Sequence, residues 1–371
     1  MKVGILTFPN STSYGATLQM YALYSTVNKL GHKAEIINYH NAYMKARKHL
    51  GQLSTMRRLR NLVKRASGAV LHRRLGVVFR QFEAQNVDLF PKKAFDDKSC
   101  LGNLSDRYGV VICGSDQVWN PNITDWDMSF FLDFCGEHTR RISYAPSFGV
   151  ESLSPERVSS ASAELKKFHA ISSREESGRV LVKQMTGEDV PVVVDPTMLL
   201  SSEEWINIEK AHPLANGEYI LYYTVYSSQS LMKYCRELSK KTGLKIIVIG
   251  GNAIRKMKNR DPMFDYAVDV SPSEWLYLMH HARYVVTNSF HGTAFSINYR
   301  KDFYLEFSSP ANSRLEHIIS MLGLESRVIG DGMDDPALAC DYSFADQKLP
   351  VLCSESMMYL EDALNVGENN G

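Results

Sequence analysis

The sequence has no CxxC pair, no G-x-G-x-x-G run and no long apolar stretch, and each absence removes a class of protein. Without paired or metal-spaced cysteines, Cys100, Cys113, Cys135, Cys235, Cys340 and Cys353 read as reduced, mostly buried thiols of a cytoplasmic protein. No metal-ligand spacing is visible, and no metal or cofactor is expected. Without the glycine fingerprint, a dinucleotide-dependent dehydrogenase is excluded. Without a run of about 18 apolar residues, nothing is expected to span a membrane. The chain enters an apolar strand at once, from Lys2 to Phe8, so no leader peptide is expected. The most local absence is of acid. From Ile36 to Phe82 there is no Asp or Glu, while Lys45, Arg47, Lys48, Arg57, Arg58, Arg60, Lys64, Arg65, Arg73, Arg74 and Arg80 all fall there.

What is present is ordinary for a folded chain. Its 371 residues are 44% hydrophobic and 22% charged, with a net charge of +1, and suit two domains. Short apolar runs at Val3–Thr7, Ala34–Tyr39, Val110–Cys113, Arg141–Ala145, Ala170–Ser173 and Pro191–Val194 read as strands. A second series follows at Tyr219–Val225, Leu244–Ile249, Tyr284–Thr287 and Phe303–Glu306. Helical spacing separates many of these runs, as at Thr17–Leu30, Ala161–Phe168, Ser230–Thr242, Ser273–His281 and Ser313–Leu324. Alternation in two blocks predicts an α/β protein of two Rossmann-like domains facing a cleft. The boundaries are predicted at 1–198 and 199–371. A basic helical insertion occupies about 41–95, and a C-terminal helix over 354–364 precedes a disordered tail. Within the insertion, Leu53, Met56, Leu59, Leu62 and Val63 recur at helical spacing among the cations. Two readings stand for 41–80: a basic amphipathic face on an anionic membrane, or a solvated helical hairpin. Nucleic acid is not expected, because no aromatic interleaving or known module accompanies the cations.

Polar clusters sit where strands end, which is where open α/β sheets bind ligands. The most informative runs Tyr284-Val285-Val286-Thr287-Asn288-Ser289-Phe290-His291-Gly292-Thr293 and continues into a helix. The N–H groups of that helix start favour an anion. His291 stands at its mouth, and an imidazole can supply or take a proton. It can move a proton there, or merely cap the helix. Comparable clusters follow Val3–Thr7, at Pro9 to Gly15, and Val110–Cys113, at Gly114-Ser115-Asp116-Gln117-Val118-Trp119-Asn120.

Together these segments resemble the polysaccharide pyruvyl transferase family. The resemblance rests on Gly4-Ile5-Leu6-Thr7 with Tyr14-Gly15-Ala16-Thr17-Leu18-Gln19, and on Gly114 to Asn120. It continues with Ser143-Tyr144-Ala145, Ser147-Phe148-Gly149, Ser173-Arg174-Glu175 and Val194-Asp195-Pro196-Thr197. Asn288 to Thr293 and Asn312-Ser313-Arg314-Leu315 complete it, in the family's order over nearly the whole chain. Ser13 departs from the Asn that many members carry before the Tyr-Gly pair. The resemblance implies a fold like the GT-B glycosyltransferases. It also implies transfer of the enolpyruvyl carbon of phosphoenolpyruvate, a co-substrate, onto two hydroxyls of a sugar as a cyclic ketal. The glycan acceptor it implies is often carried on a polyprenyl diphosphate. The protein would then be peripheral on the inner face of the cell membrane, with the basic region as its contact.

This chemistry needs an anion clamp and proton transfer in both directions. Arg174 and Arg314, each after a polar turn, are candidate clamps. Arg174 can instead pair with Glu175 or Glu176, and Arg314 with Glu316 or Asp302. His291 and Asp116 are the candidate proton-transfer groups, although Asp116 can equally make an Asx turn or cap. Ser289, Gly292 and Thr293 can hold phosphate, and Tyr14, Gly15 and Gln117 complete the candidate substrate site. Trp119 can stack on a sugar ring or lie buried. The competing function is a GT-B glycosyltransferase with a nucleotide-sugar donor. A non-catalytic glycan-binding protein is disfavoured by the polar clusters, all of which are retained.

Overall fold

The computed structural model describes residues 1–41, 62–249, 263–307, 313–330 and 339–365. The apolar and basic positions Leu53, Met56, Arg57, Arg58, Leu59 and Arg60, together with Asn312 and the tail 366–371, lie outside the described residues. The chain forms two compact units. Met1–Leu62, Glu83–Leu199 and Val351–Gly371 make the first; Val63–Phe82 and Leu200–Pro350 make the second.

Each unit is built on a five-stranded parallel sheet. In the first, β1 (Lys2–Leu6), β2 (Lys33–Tyr39), β3 (Leu89–Phe95), β4 (Val110–Cys113) and β5 (Arg140–Ser143) lie in the order β3-β2-β1-β4-β5. In the second, β6 (Tyr219–Tyr223), β7 (Lys245–Ile249), β8 (Phe264–Ala267), β9 (Tyr284–Thr287) and β10 (Asp302–Leu305) lie in the order β10-β9-β6-β7-β8. The central strands are fully buried apolar runs, as strands covered on both faces must be. Both sheets start in the middle, build outward on one side, then return beside their first strand. The order therefore reverses between β1 and β4, and between β6 and β9. Carboxyl ends at such a reversal form the natural ligand crevice of an open α/β sheet.

Local sequence sets the connections. Ser271 and Glu274 form a reciprocal capping box that starts the helix Pro272–His281 leading into β9. The helix Gln229–Thr242 ends at Gly243, whose φ of +71° turns the chain into β7.

Four differences from the sequence reading stand out. Leu89–Phe95 and Phe264–Ala267 are edge strands; the first had been placed inside the helical insertion 41–95. Both are half exposed, and β3 carries Pro91, Lys92 and Lys93, so neither shows a buried apolar pattern. Conversely, Ala170–Ser173 and Pro191–Val194 make only single bridges, Ile142 to Ala170 and Ser173 to Val192. The stretch Val63–Phe82 joins the second unit rather than the first. Finally, the last helix spans Ser343–Leu364 through Pro350, and its part beyond that proline belongs to the first unit, not to a domain 199–371. There Leu360, Ala363 and Leu364 join Val3, Ile5, Val110 and Ile112 in one core. Ser356 Oγ accepts from Val194 N at 3.0 Å, and Tyr359 Oη donates to Ser143 O at 2.8 Å.

Candidate functional site

The candidate residues gather in two clusters, one at each sheet reversal. In the first unit the carboxyl ends of β1 and β4 are laced together. Thr7 Oγ1 donates to Ser115 O at 3.0 Å and accepts from Gln19 Nε2 at 3.0 Å. Gln19 lies on the helix Tyr14–Lys29, whose first turn holds the buried Tyr14 and Gly15. Asp116 follows, with φ at +77°, a conformation that costs a non-glycine residue energy and collects at functional sites. Its Oδ1 accepts from the adjacent Gln117 N at 2.9 Å, one residue short of the bond an Asx turn would make. Its carbonyl accepts from Ser147 N at 2.9 Å, which ties the loop to the segment after β5. Gln117 is held by Asn120 Nδ2, which donates to its side-chain oxygen at 2.6 Å.

Arg174 is 4% exposed and lies among carboxylates. Its Nη1 meets Asp195 Oδ2 at 2.9 Å, its Nε lies 3.6 Å from Glu175 Oε2, and its Nη2 lies 3.9 Å from Asp116 Oδ1. Burial works against the guanidinium charge. Asp195, Glu175 and Asp116 outweigh it and hold Arg174 protonated more firmly than usual. Asp195 Oδ1 also accepts from Thr197 N at 3.0 Å, and Glu175 Oε1 from Ser147 Oγ at 2.6 Å. The reading of Arg174 as an anion clamp therefore needs correction. One guanidinium faces three carboxylates, so it neutralises and orders acids rather than waiting for an incoming anion. Of the two glutamates proposed as partners, Glu175 is taken; Glu176 pairs with Arg179 at 3.3 Å.

Trp119 also needs correction. It is 0% exposed, stacks on Phe131 at 5.3 Å, and donates Nε1–H to Phe130 O at 3.0 Å. Its broad face is spent in the core and offers nothing to a sugar.

In the second unit, β9 passes into the helix Phe290–Asn298 through a tight hydrogen-bonded turn. Thr287 Oγ1 accepts from Ser289 N at 3.0 Å, and Ser289 Oγ caps the helix by accepting from Gly292 N at 3.2 Å. Gly292 is required by contact: a Cβ there would collide with the Thr287 hydroxyl and sit 3.1 Å from the Tyr223 ring. Burial pushes the Tyr223 phenol up to about 12, against a Ser289 hydrogen bond that lowers it, so it stays neutral at pH 7. His291 lies in the first turn, 8% exposed, edge-on to Phe290 at 5.1 Å. Thr293 is wholly buried, with its hydroxyl unpaired. Thus His291, Ser289, Gly292 and Thr293 come together at one helix N-terminus, where dipole and amides favour negative charge. Arg314 stands at the start of the helix Ser313–Met321, half buried. Asp302, one of its proposed partners, pairs with Arg283 at 2.8 Å.

Two residues at these sites, Asn288 and Asp195, carried no assigned role. Asn288 accepts from Val225 N and donates to Tyr226 O, both at 2.9 Å, pinning the loop after β6. Asp195 joins Glu175 in the acid cluster; an acid directly after the apolar run Val192–Val194 was the available signal. The sequence reading also saw no metal-ligand spacing. Among the described residues, Glu209, His280 and His281 bring ligand atoms within 4.8 Å, but Glu209 is 71 positions from His280 and already bonds its Nδ1 at 3.2 Å.

With both sites described, the comparisons can be read. The family model for polysaccharide pyruvyl transferase matches residues 14–305. The chain belongs to that family. None of the curated proteins compared with it matches. Among solved structures, the S. aureus MnaA–UDP structure is similar at a TM-score of 0.56 and 9% identity, covering 100% of this chain and 99% of the other. The putative UDP-N-acetylglucosamine 2-epimerase of Listeria monocytogenes gives 0.52 and 9%, covering 97% and 90%. The Neisseria meningitidis UDP-GlcNAc 2-epimerase bound to UDP-GlcNAc gives 0.50 and 12%, covering 99% and 95%. At these identities the likeness concerns the fold, which is GT-B-like, as the family resemblance implied. The pyruvyl transferase motifs fall at both sheet reversals: Gly114 to Asn120 after β4, and Asn288 to Thr293 after β9.

Proposed function

We propose that this family member transfers the enolpyruvyl carbon of phosphoenolpyruvate onto two hydroxyls of one sugar in a polysaccharide precursor. The observation that carries this reading is His291 in the first turn of a helix that begins at a sheet reversal, inside a matched family motif. The helix amides and the neutral Tyr223 and Ser289 hydroxyls suit the phosphate and carboxylate of the donor. His291 then serves the vinyl carbon, which gains one proton as its neighbour takes two bonds to sugar oxygens and loses its bond to phosphate. Of the two protons leaving the sugar hydroxyls, one balances the new methyl group and one goes to phosphate or solvent. Asp116 is the group we assign to the acceptor hydroxyls.

The test is incubation with phosphoenolpyruvate and synthetic or lipid-linked glycosides, followed by mass spectrometry for a pyruvyl ketal and by phosphate release. UDP-sugars form the second arm, because the S. aureus and N. meningitidis structures of similar fold hold UDP and UDP-GlcNAc. Glycosyl transfer from a UDP-sugar, with no ketal from phosphoenolpyruvate, would replace this reading with the nucleotide-sugar one.

The acid-free run 41–80 supports a further part of the proposal, that the enzyme works peripherally on an anionic membrane surface carrying a polyprenyl-diphosphate acceptor. Among the described residues no helix is long and apolar enough to cross a membrane. Each cation near an anionic surface gains about 1 kcal/mol, within a Debye length of about 8 Å. Charge reversal at Arg57, Arg58 and Arg60 is expected to reduce co-sedimentation with phosphatidylserine vesicles at low salt. Turnover on lipid-linked acceptor should fall much more than turnover on a soluble glycoside. A wild-type protein that ignores such vesicles at low salt has cations that merely face water.

A further inference from the structure

Away from the polar clusters, the second unit gathers a further set of chemistry-bearing groups. The helix Pro272–His281 ends in two histidines, and the chain then enters β9 at Tyr284. Glu209 reaches them from the segment before β6. One ligand atom from each of Glu209, His280 and His281 lies within 4.8 Å of the other two, and all three residues belong to the same unit. They stand at the amino end of β9, whereas His291 follows its carboxyl end. Four strand residues, at about 3.3 Å each, lie between.

The hydrogen on each neutral imidazole is placed by what the ring touches. His280 Nδ1 lies 3.2 Å from Glu209 Oε2 and 3.1 Å from Oε1. His281 Nδ1 lies 3.0 Å from Tyr277 O. A carboxylate and a carbonyl can only accept, so each Nδ1 carries the hydrogen and each Nε2 keeps a lone pair. Metal-binding histidines are oriented in this way, one ring nitrogen held by a carboxylate or carbonyl and the other left to the ion. Both rings are braced. His280 stacks on Tyr299 at 4.8 Å, His281 stacks on Tyr277 at 3.8 Å, and the two imidazole centroids are 4.6 Å apart.

The local charge also suits a cation. The Glu209 side chain is 6% exposed, and its Oε1 closes no hydrogen bond among the described residues. A buried carboxylate is costly without a counter-charge. Burial and this carboxylate push the Tyr299 phenol up, so it stays neutral. Lys301 Nζ donates to His280 O and, at 3.3 Å, to Ala282 O. The carboxyl end of a helix carries partial negative charge, which adds to the attraction. His281 is exposed, so an ion has a way in. Imidazole nitrogen is a ligand for zinc, which tolerates open positions filled by water.

We propose that His280 and His281 bind a zinc ion through Nε2, with Glu209 as the carboxylate that orients His280 and offsets the charge. The ion ties the segment before β6 to the end of the helix before β9, and so has a structural role away from the donor site. This inference does not rest on the pyruvyl transfer reading, and its test uses no turnover. The metal-stripped full chain is titrated with zinc against a chromophoric chelator, and thermal unfolding is followed with and without zinc. The wild type is expected to take up zinc and to unfold at a higher temperature with it. His281→Gln, at an exposed position, should weaken binding at least about tenfold and abolish the shift. Glu209→Gln should weaken binding by about 10–100-fold, the usual loss when the partner of a metal-binding histidine is removed. If that variant loses the wild-type circular dichroism spectrum, His280→Gln replaces it with the same expected loss. Cys100→Ser removes an exposed thiol that could also take zinc, and should leave binding unchanged. A wild type that takes no zinc overturns the inference, as does wild-type affinity in His281→Gln or in its companion variant. Loss of binding in Cys100→Ser assigns the zinc to that thiol and overturns it as well.

Discussion

Replacing His291 with glutamine is expected to lower turnover about a hundredfold or more while leaving the melting temperature close to wild type. General acid–base catalysis by a placed side chain contributes about that factor or more. Glutamine retains size and hydrogen-bonding atoms but cannot move a proton near pH 7. The Ser289 cap, the Thr287 turn and the contact at Gly292 do not involve the imidazole, so the turn should survive. Binding of phosphoenolpyruvate should change little, because the proposed donors are backbone amides and hydroxyls. The effect should therefore appear in kcat more than in KM. Near-wild-type kcat in a folded H291Q protein would return His291 to the capping role.

Replacing Arg174 with alanine is expected to act first on stability. Removing the guanidinium leaves Asp195, Glu175 and Asp116 without the cation that all three face. Breaking a buried ion pair from one side costs about 3–5 kcal/mol, which lowers a melting transition of a domain this size by about 10 °C. Arg174→Lys should recover part of the loss by restoring charge without the planar fork. Scanning calorimetry with a titration of phosphoenolpyruvate separates the two roles. An R174A protein with an unchanged melting point and lost donor affinity would reinstate Arg174 as an anion clamp.

The central sheets were legible because Val3–Leu6, Val110–Cys113 and Tyr284–Thr287 are short apolar runs buried on both faces, with polar clusters at their carboxyl ends. Those ends coincide with the sheet reversals, so the site motifs could be placed before their surroundings were known. The edge strands β3 and β8 were not legible. β3 mixes Pro91 and two lysines with apolar residues, and β8 alternates over only four positions, so periodicity has little to act on. Trp119 shows a different limit: a tryptophan beside a polar loop has the same letters whether its face is open or stacked on Phe131. Arg174 shows a third. Its nearest carboxylate, Asp195, comes 21 positions later, and only folding brings the two to 2.9 Å.

The return of the last helix to the first unit bears on how the protein is made. Leu360, Ala363 and Leu364 close one face of the core that contains Val3 and Ile5, so residues from both extremes of the sequence complete a single hydrophobic layer. During synthesis, that layer stays uncovered until the final turns have left the ribosome. Contacts of such wide separation form late and slowly. Val3 and Ile5 thus belong to a unit that cannot be finished before those later turns are made. A chain cut off at Pro350 would retain every strand of both sheets, yet leave an oily surface where the missing turns belong.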